Sequence, residues 1–193
     1  MKYMKKSKGV FALLSAMVLW ACGGNEESTP RQVQPKEHIT TVQLDFINES
    51  DPTEMHRVRY YDLDGPGGQA PVFDPVALKP QSRYVCLLSF FDESRTPAYD
   101  VTNAIALEAE SYQVFYEVMP GNGLRFAGYE DEDNQGRPLG LEAAFATYSP
   151  ATDTLLLRLM YQPGGLKRGD STLGALNFEA RFPIQVAGLP AVQ

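Results

Sequence analysis

Residues 176–186 read Leu-Asn-Phe-Glu-Ala-Arg-Phe-Pro-Ile-Gln-Val, in which every second residue is apolar. Successive side chains of a β-strand point to opposite faces, so this alternation predicts a strand with one face in a core and the other in solvent. Pro183 has no N–H to donate to a neighbouring strand, and we therefore place this strand at the edge of a sheet.

The same pattern recurs along the chain, where seven further stretches read as strands: residues 41–46, 58–60, 84–91, 113–119, 124–129, 141–148 and 154–161. Turn signals such as Pro120-Gly121-Asn122-Gly123 separate them. Many short strands with such punctuation predict an all-β protein, an immunoglobulin-like antiparallel β-sandwich of about eight strands. Residues 101–110 are the exception and predict one short helix that crosses between the sheets, with Thr102 as its cap.

The N-terminus has the pattern of a leader sequence. Four lysines (Lys2, Lys5, Lys6 and Lys8) precede an apolar run that ends at Trp20. This run is too short for a membrane-spanning helix, which needs about 20 apolar residues. The closing Leu19-Trp20-Ala21-Cys22 resembles the site at which bacterial lipoproteins are cleaved and lipidated. An ordinary secretory signal with an incidental cysteine is the alternative.

A lipidated Cys22 divides the chain into three parts. Residues 1–21 would be the signal peptide, residues 22–38 the lipidated cysteine with a flexible tether, and residues 39–193 the sandwich domain. Acyl chains on Cys22 would hold the protein on a membrane. Glu26 and Glu27 resemble the surface-export signal of Bacteroidota lipoproteins, so we expect an outer-membrane protein at the cell surface.

Charge and cysteine content narrow the function classes. The whole chain carries a net charge of −7, and loss of the four leader lysines would leave −11. Nucleic-acid binding needs the opposite sign, so we expect no such partner. With Cys22 lipidated, Cys86 has no partner cysteine, and its apolar surroundings predict a small buried side chain.

One acidic segment is a candidate calcium site. Residues 131–142 read Asp-Glu-Asp-Asn-Gln-Gly-Arg-Pro-Leu-Gly-Leu-Glu and nearly fit the calcium-loop pattern, with ligands from Asp131, Asp133, Gln135 and Glu142. Gln135 stands where a shorter Asp or Asn is usual, and the flanks read as strands instead of helices. The alternative is a solvated hairpin loop without metal.

A second acidic turn contains Asp62 and Asp64, with Asp74 nearby in sequence, and is another candidate cation site or a plain turn. The sequence has two histidines, no serine-nucleophile elbow, no zinc spacing and no phosphate-binding loop. We therefore expect no enzyme, although paired carboxylates could perform acid–base chemistry if a cleft buried them.

The chain resembles a family of small Bacteroidota outer-membrane lipoproteins without assigned activity. The resemblance spans about residues 40–187 and is carried by residues 61–65, 84–93 and 113–116, the 131–141 loop and the last strand. Members often have histidine at the positions of Tyr112 and Tyr161. The resemblance implies that any metal or haem site of those histidines is altered or absent here, and packed tyrosines are the alternative.

Together these features predict a membrane-anchored, non-enzymatic binding or accessory lipoprotein. It could capture a small ligand or a metal ion such as Ca²⁺ for an outer-membrane transporter. The alternative is a structural lipoprotein that binds only other envelope proteins.

Overall fold

The strands follow the alternating stretches of the sequence. The structure is a computed structural model that describes residues 35–65 and 68–187, which belong to one compact unit. This part of the chain contains eleven strands, three of which have only two residues. The eight longer strands lie at the eight predicted stretches, so the all-β class is confirmed, and the three two-residue strands are additional to the prediction.

The first sheet has seven strands: β1 (Thr41–Asn48), β2 (Asp51–Tyr61), β3 (Val72–Phe73), β5 (Arg83–Asp92), β6 (Tyr99–Asp100), β8 (Leu124–Tyr129) and β9 (Glu142–Thr147). Their order is β3-β2-β1-β5-β9-β8, and β6 pairs with the end of β5. All pairs in this sheet are antiparallel. β5 is a central strand, because it has β1 on one side and β9 on the other.

The second sheet has four strands: β4 (Ala77–Leu78), β7 (Tyr112–Met119), β10 (Ala151–Tyr161) and β11 (Ala175–Val186). They lie in the order β4-β11-β10-β7, and only the β4–β11 pair is parallel. Since β4 pairs only with Gln185 and Val186, Pro183 faces the side of β11 that has no strand beside it in the described ranges. The strand predicted at the edge is therefore not the edge strand of this sheet, which is β4, and the prediction holds only for the stretch of β11 around Pro183.

A short helix connects the two sheets, as the sequence predicted. Helix α1 (Thr102–Leu107) and the 3₁₀ turn Ala109–Ser111 lead from β6 to β7. The predicted Thr102 cap is wrong. The Thr102 hydroxyl instead accepts a hydrogen bond from the Phe90 N–H at 2.9 Å, and Asp100 Oδ1 accepts from the Thr102 N–H at 2.9 Å. Thr102 thus fixes the helix to β5.

The core lies between the sheets and consists of the inward side chains of the long strands. Fully buried examples are Val42, Leu44, Phe46, Cys86, Phe90, Leu155, Leu157, Phe182 and Ile184. Each large apolar side chain that is fully buried contributes about 1.5–3 kcal/mol. Cys86 is a free, buried cysteine, as predicted. Among the residues placed by the structure, no helix is long and apolar enough to cross a membrane.

Residues 35–40, here called the arm, lead into β1 at one end of the sandwich. The arm end is the end where β1 begins and β2 and β10 finish, and the far end is the opposite one. Asn177 holds the arm, because its Oδ1 accepts from the N–H groups of Lys36 (2.9 Å) and Glu37 (3.0 Å) and its Nδ2 donates to the Glu37 carbonyl (2.8 Å). The last residues of the predicted tether therefore contact the domain. Cys22 and the leader lie outside the described residues.

Candidate functional site

The acidic segment 131–141 connects β8 to β9 and is closed by its own first aspartate. Asp131 Oδ1 accepts from the Gly140 N–H at 2.7 Å, and Oδ2 accepts from the Leu141 N–H at 2.9 Å. Burial raises the pKa of Asp131 more than these backbone hydrogen bonds lower it. Gly140 has a φ of 92°, and an added Cβ would lie 2.9 Å from the Val114 Cβ, so glycine lets the segment close against β7.

Asp133 is bound by two cationic side chains. Its Oδ2 accepts from Arg137 Nε at 2.9 Å and from Lys167 Nζ at 3.0 Å, and the side chains of Asp133 and Lys167 are fully buried. Burial alone would raise the pKa of Asp133, but the hydrogen bonds from Lys167 and Arg137 outweigh it and lower that pKa. Burial lowers the pKa of Lys167, and Asp133 offsets part of that effect.

Lys167 occupies the place that a bound cation would take in this segment. Its ammonium contacts Asp133 Oδ2, the Ala109 carbonyl at 2.8 Å and the Arg137 carbonyl at 3.4 Å. It thereby links the segment to the turn after α1 and to the β10–β11 connection. The expectation that the acids of this segment are solvated is wrong for Asp133, because the fold provides an ammonium group for it.

The four predicted calcium ligands do not converge. Asp131 and Asp133 bind different donors, whereas Gln135 and Glu142 are exposed. Within residues 35–65 and 68–187, no group of three or more His, Cys, Asp or Glu side chains is arranged to hold a metal ion. A calcium ion at Asp133 would have to displace both Arg137 and Lys167.

The second acidic turn is also dispersed. Asp62 Oδ2 accepts from the Tyr60 hydroxyl at 3.1 Å, and Asp64 Oδ2 accepts from the Gln69 N–H at 2.8 Å. The Asp74 N–H donates to the Arg59 carbonyl at 3.0 Å. The three aspartates thus take part in separate local contacts, as expected of turn residues.

Tyr112 and Tyr161 are adjacent, although the sequence separates them widely. They are direct partners in the β7–β10 register, and their ring centroids are 5.0 Å apart. The buried Tyr112 hydroxyl donates to Glu37 Oε1 of the arm at 3.3 Å. Burial, followed by the charges of Glu37 and Glu108, raises the pKa of Tyr112. Tyr112 is therefore a neutral phenol that helps to seat the arm, which is unfavourable for a phenolate ligand.

Three open clefts lie at the arm end. The first, of about 490 Å³, lies between the α1 region and the acidic segment and includes Leu107, Glu110 and Glu132. The second, of about 400 Å³, includes Leu63 and Val72. The third, of about 330 Å³, lies between the arm and β11 and includes Leu176. Asp62 lines both of the smaller clefts, so the two adjoin.

Exposed apolar side chains concentrate at the same end. Of nine large apolar side chains that are exposed in the described part of the chain, five lie there: Leu63, Val72, Tyr99, Leu107 and Leu176. Leu107 is 87% exposed. This exposure was not predictable from the pattern of apolar residues, because each of these residues could equally belong to a core-facing face.

The far end contains a different use of a buried acid. Asp153 accepts four backbone N–H groups from the turn after β7, those of Gly121, Asn122, Gly123 and Leu124, at 2.6–3.1 Å. Burial would raise the pKa of Asp153, but these hydrogen bonds lower it overall. The turn was predictable from Pro120 and the two glycines, but its acceptor was not.

Comparison with known proteins gives no match, whether with family models, with curated proteins or with solved structures.

Proposed function

We propose that this chain is a lipid-anchored, non-enzymatic binding protein of the outer membrane, attached through Cys22 and displayed at the cell surface. The leader, Cys22 and the acids that follow it support the anchor and its location. We also propose its relationship to the small Bacteroidota lipoproteins, on the residues that carry the resemblance.

The observation that carries the binding role is the arm end. Three clefts and five exposed apolar side chains lie where the chain enters the domain. Exposed apolar surface with a polar rim is typical of protein-interaction sites. The buried acids Asp133 and Asp153 serve as internal acceptors. Both features favour a binding function over hydrolysis. They also favour another envelope protein, such as an outer-membrane transporter, as the partner.

A small ligand is the second candidate. The cleft of about 490 Å³ falls within the usual range of about 300–1,000 Å³ for small-molecule sites. Native mass spectrometry with calcium, iron and haem tests this version. Uptake together with a rise in melting temperature would support it, and no uptake would leave only the protein partner.

Metabolic labelling with an alkyne palmitate tests the anchor. We expect a labelled, membrane-bound wild type, whereas Cys22→Ala should lose both the label and membrane attachment. Cys86→Ala is the matched control and should keep the label. Protease treatment of intact cells then tests display at the surface. A labelled Cys22→Ala variant would contradict the proposal.

A further inference from the structure

The two adjoining clefts share one face, here called the Asp62 surface, that consists of Asp62 with Leu63, Val72 and Leu176. The three apolar side chains are 59%, 61% and 46% exposed, respectively. One cleft has a volume of about 400 Å³ and the other about 330 Å³, and Asp62 lines both. Side chains of this size rarely gather in solvent without a partner that covers them.

The charge on this face has one sign. The residues that line the two clefts include four acids, Glu37, Asp62, Asp64 and Glu179, and neither lysine nor arginine. Of these four acids, Glu179 forms ion pairs with Arg158 and Arg181, and Glu37 Oε1 lies 3.9 Å from Lys36 Nζ. The face therefore combines exposed apolar area with two aspartates, Asp62 and Asp64, that form no ion pair among the described residues.

One carboxylate oxygen of Asp62 lacks a hydrogen-bond donor among the described residues. Its Oδ2 accepts from Tyr60, but Oδ1 is shielded from solvent and has no donor within the part of the chain that the structure describes. A buried acceptor without a partner costs about 1–3 kcal/mol. The Asp62 carboxylate therefore has unused acceptor capacity beside both clefts.

We propose that the Asp62 surface docks a basic segment of a second envelope protein, one in which lysine or arginine alternates with apolar residues. This inference rests on the proposed binding function and specifies its site and partner. The cationic groups would lie near Asp62 and Asp64, while the aliphatic stems and the apolar residues pack on Leu63, Val72 and Leu176.

Two other occupants fit less well. A second copy of this chain in a twofold dimer would place the same acidic face against itself, which is unfavourable because like charges repel. An anionic lipid surface would be repelled for the same reason. A basic protein segment is the occupant that satisfies both the charge and the apolar area.

Site-specific photo-crosslinking of the full chain in intact cells tests the surface. p-Benzoylphenylalanine is placed at Leu63 and Leu176, and at the far-end controls Met55 and Met119, which are also exposed (49% and 40%). We expect adducts only at the first two positions, joined to a protein segment rich in lysine or arginine by mass spectrometry. Adducts only at the controls, to lipid, or to a second copy would overturn the inference while leaving the anchor intact.

A defined probe then tests the recognition chemistry. The full-length protein in detergent is titrated with a fluorescent ten-residue peptide of alternating leucine and lysine. Matched peptides replace lysine by glutamate or leucine by serine. We expect the Leu63→Ser/Leu176→Ser double variant to bind the first peptide about tenfold more weakly than wild type, whereas Met55→Ser/Met119→Ser should bind it normally.

The result separates the two proposals. Equal binding of the leucine–lysine and leucine–glutamate peptides, or equal loss in both double variants, would reject the Asp62 surface. Cross-links at none of the four positions would count against the binding function itself. The palmitate label on Cys22 is independent of both outcomes.

Discussion

At the far end, Asp153 alone holds the turn after β7, whereas at the arm end Asp133 shares its segment with Arg137 and Lys167. Asp153 satisfies four amides of one turn, so its effect is local. Asp133 and Lys167 connect the β8–β9 segment, the turn after α1 and the β10–β11 connection. The turn at the far end is thus held by one carboxylate that accepts backbone N–H groups, and the segments at the arm end are linked by a buried ion pair.

The largest effect should come from removing the buried ammonium. Lys167→Met removes the buried ammonium from Asp133 and leaves Arg137 as its charged partner, and breaking a buried pair costs about 3–5 kcal/mol. Urea denaturation should show this loss in the free energy of unfolding. Arg168→Met is the matched control, because Arg168 is exposed and its Nε donates to the Gly165 carbonyl. Equal losses in both variants would contradict the role given to Lys167.

Removing the far-end acceptor should cost somewhat less. Asp153→Ala leaves four amides of the turn without their acceptor, and we expect a loss of about 3 kcal/mol, since solvent can reach part of the turn. Hydrogen exchange should accelerate at Gly121–Leu124 and not at the arm end. The exposed neighbour Thr152→Ala is the control. Faster exchange at both ends would mean that the ends are coupled.

Lowering the pH should reduce the free energy of unfolding through both Asp133 at the arm end and Asp153 at the far end. The pKa values of Asp133 and Asp153 are lowered in the folded protein, so their stabilisation is complete above the ordinary carboxyl pKa of about 4. It is lost as the pH falls through their folded values. The urea midpoint of the wild type should therefore fall below about pH 4, and Asp153→Ala should have a shallower fall. Identical slopes would argue that Asp153 does not titrate with folding.

A smaller effect is expected at the arm. Asn177→Ala removes three hydrogen bonds to Lys36 and Glu37, and because the site is only partly buried we expect a loss of about 1–2 kcal/mol. Exchange at the amides of Lys36 and Glu37 should accelerate first. Gln185→Ala, at an exposed position on the same strand, should leave the arm protected.

The smallest effect belongs to the exposed leucine. Leu107→Ser should change the free energy of unfolding by less than about 0.5 kcal/mol, because Leu107 is 87% exposed. Leu157→Ala, at a fully buried position, should cost about 2–5 kcal/mol. A large loss at Leu107 would show that this side chain supports the fold.

The strands were predictable because a strand with one buried face has an apolar residue at every second position. The edge position of Pro183 followed from its missing N–H. The partner of Asp133 could not be predicted, because Lys167 lies 34 residues away and nothing local marks it as buried. The calcium-like spacing of residues 131–142 was misleading, because the four predicted ligands do not converge and Asp133 binds Lys167 instead.

The Asp62 surface was equally hidden. Asp62 and Asp64 were recognised as an acidic turn, but Leu176 opens the most regular strand pattern of the chain and reads there as a core residue. The irregular pairing of β11 with β10, where Leu159 pairs with Phe178 and Met160 with Leu176, leaves Asn177 unpaired and shifts the register between Leu176 and Phe178. Such irregularities depend on the partner strand and leave no mark in the periodicity of either strand alone.

The hydrogen bonds between Asn177 and the arm also limit the length of chain that can act as a tether. Under the proposed lipid anchor, residues 35–38 are fixed to the domain and do not add to the tether between Cys22 and the sandwich. An extended chain spans about 3.3 Å per residue, so fixing these four residues shortens the maximum length of the tether by about 13 Å. A shorter tether raises the effective concentration of the Asp62 surface near the membrane. Asn177 would therefore favour partners that lie close to the bilayer over those that lie farther away.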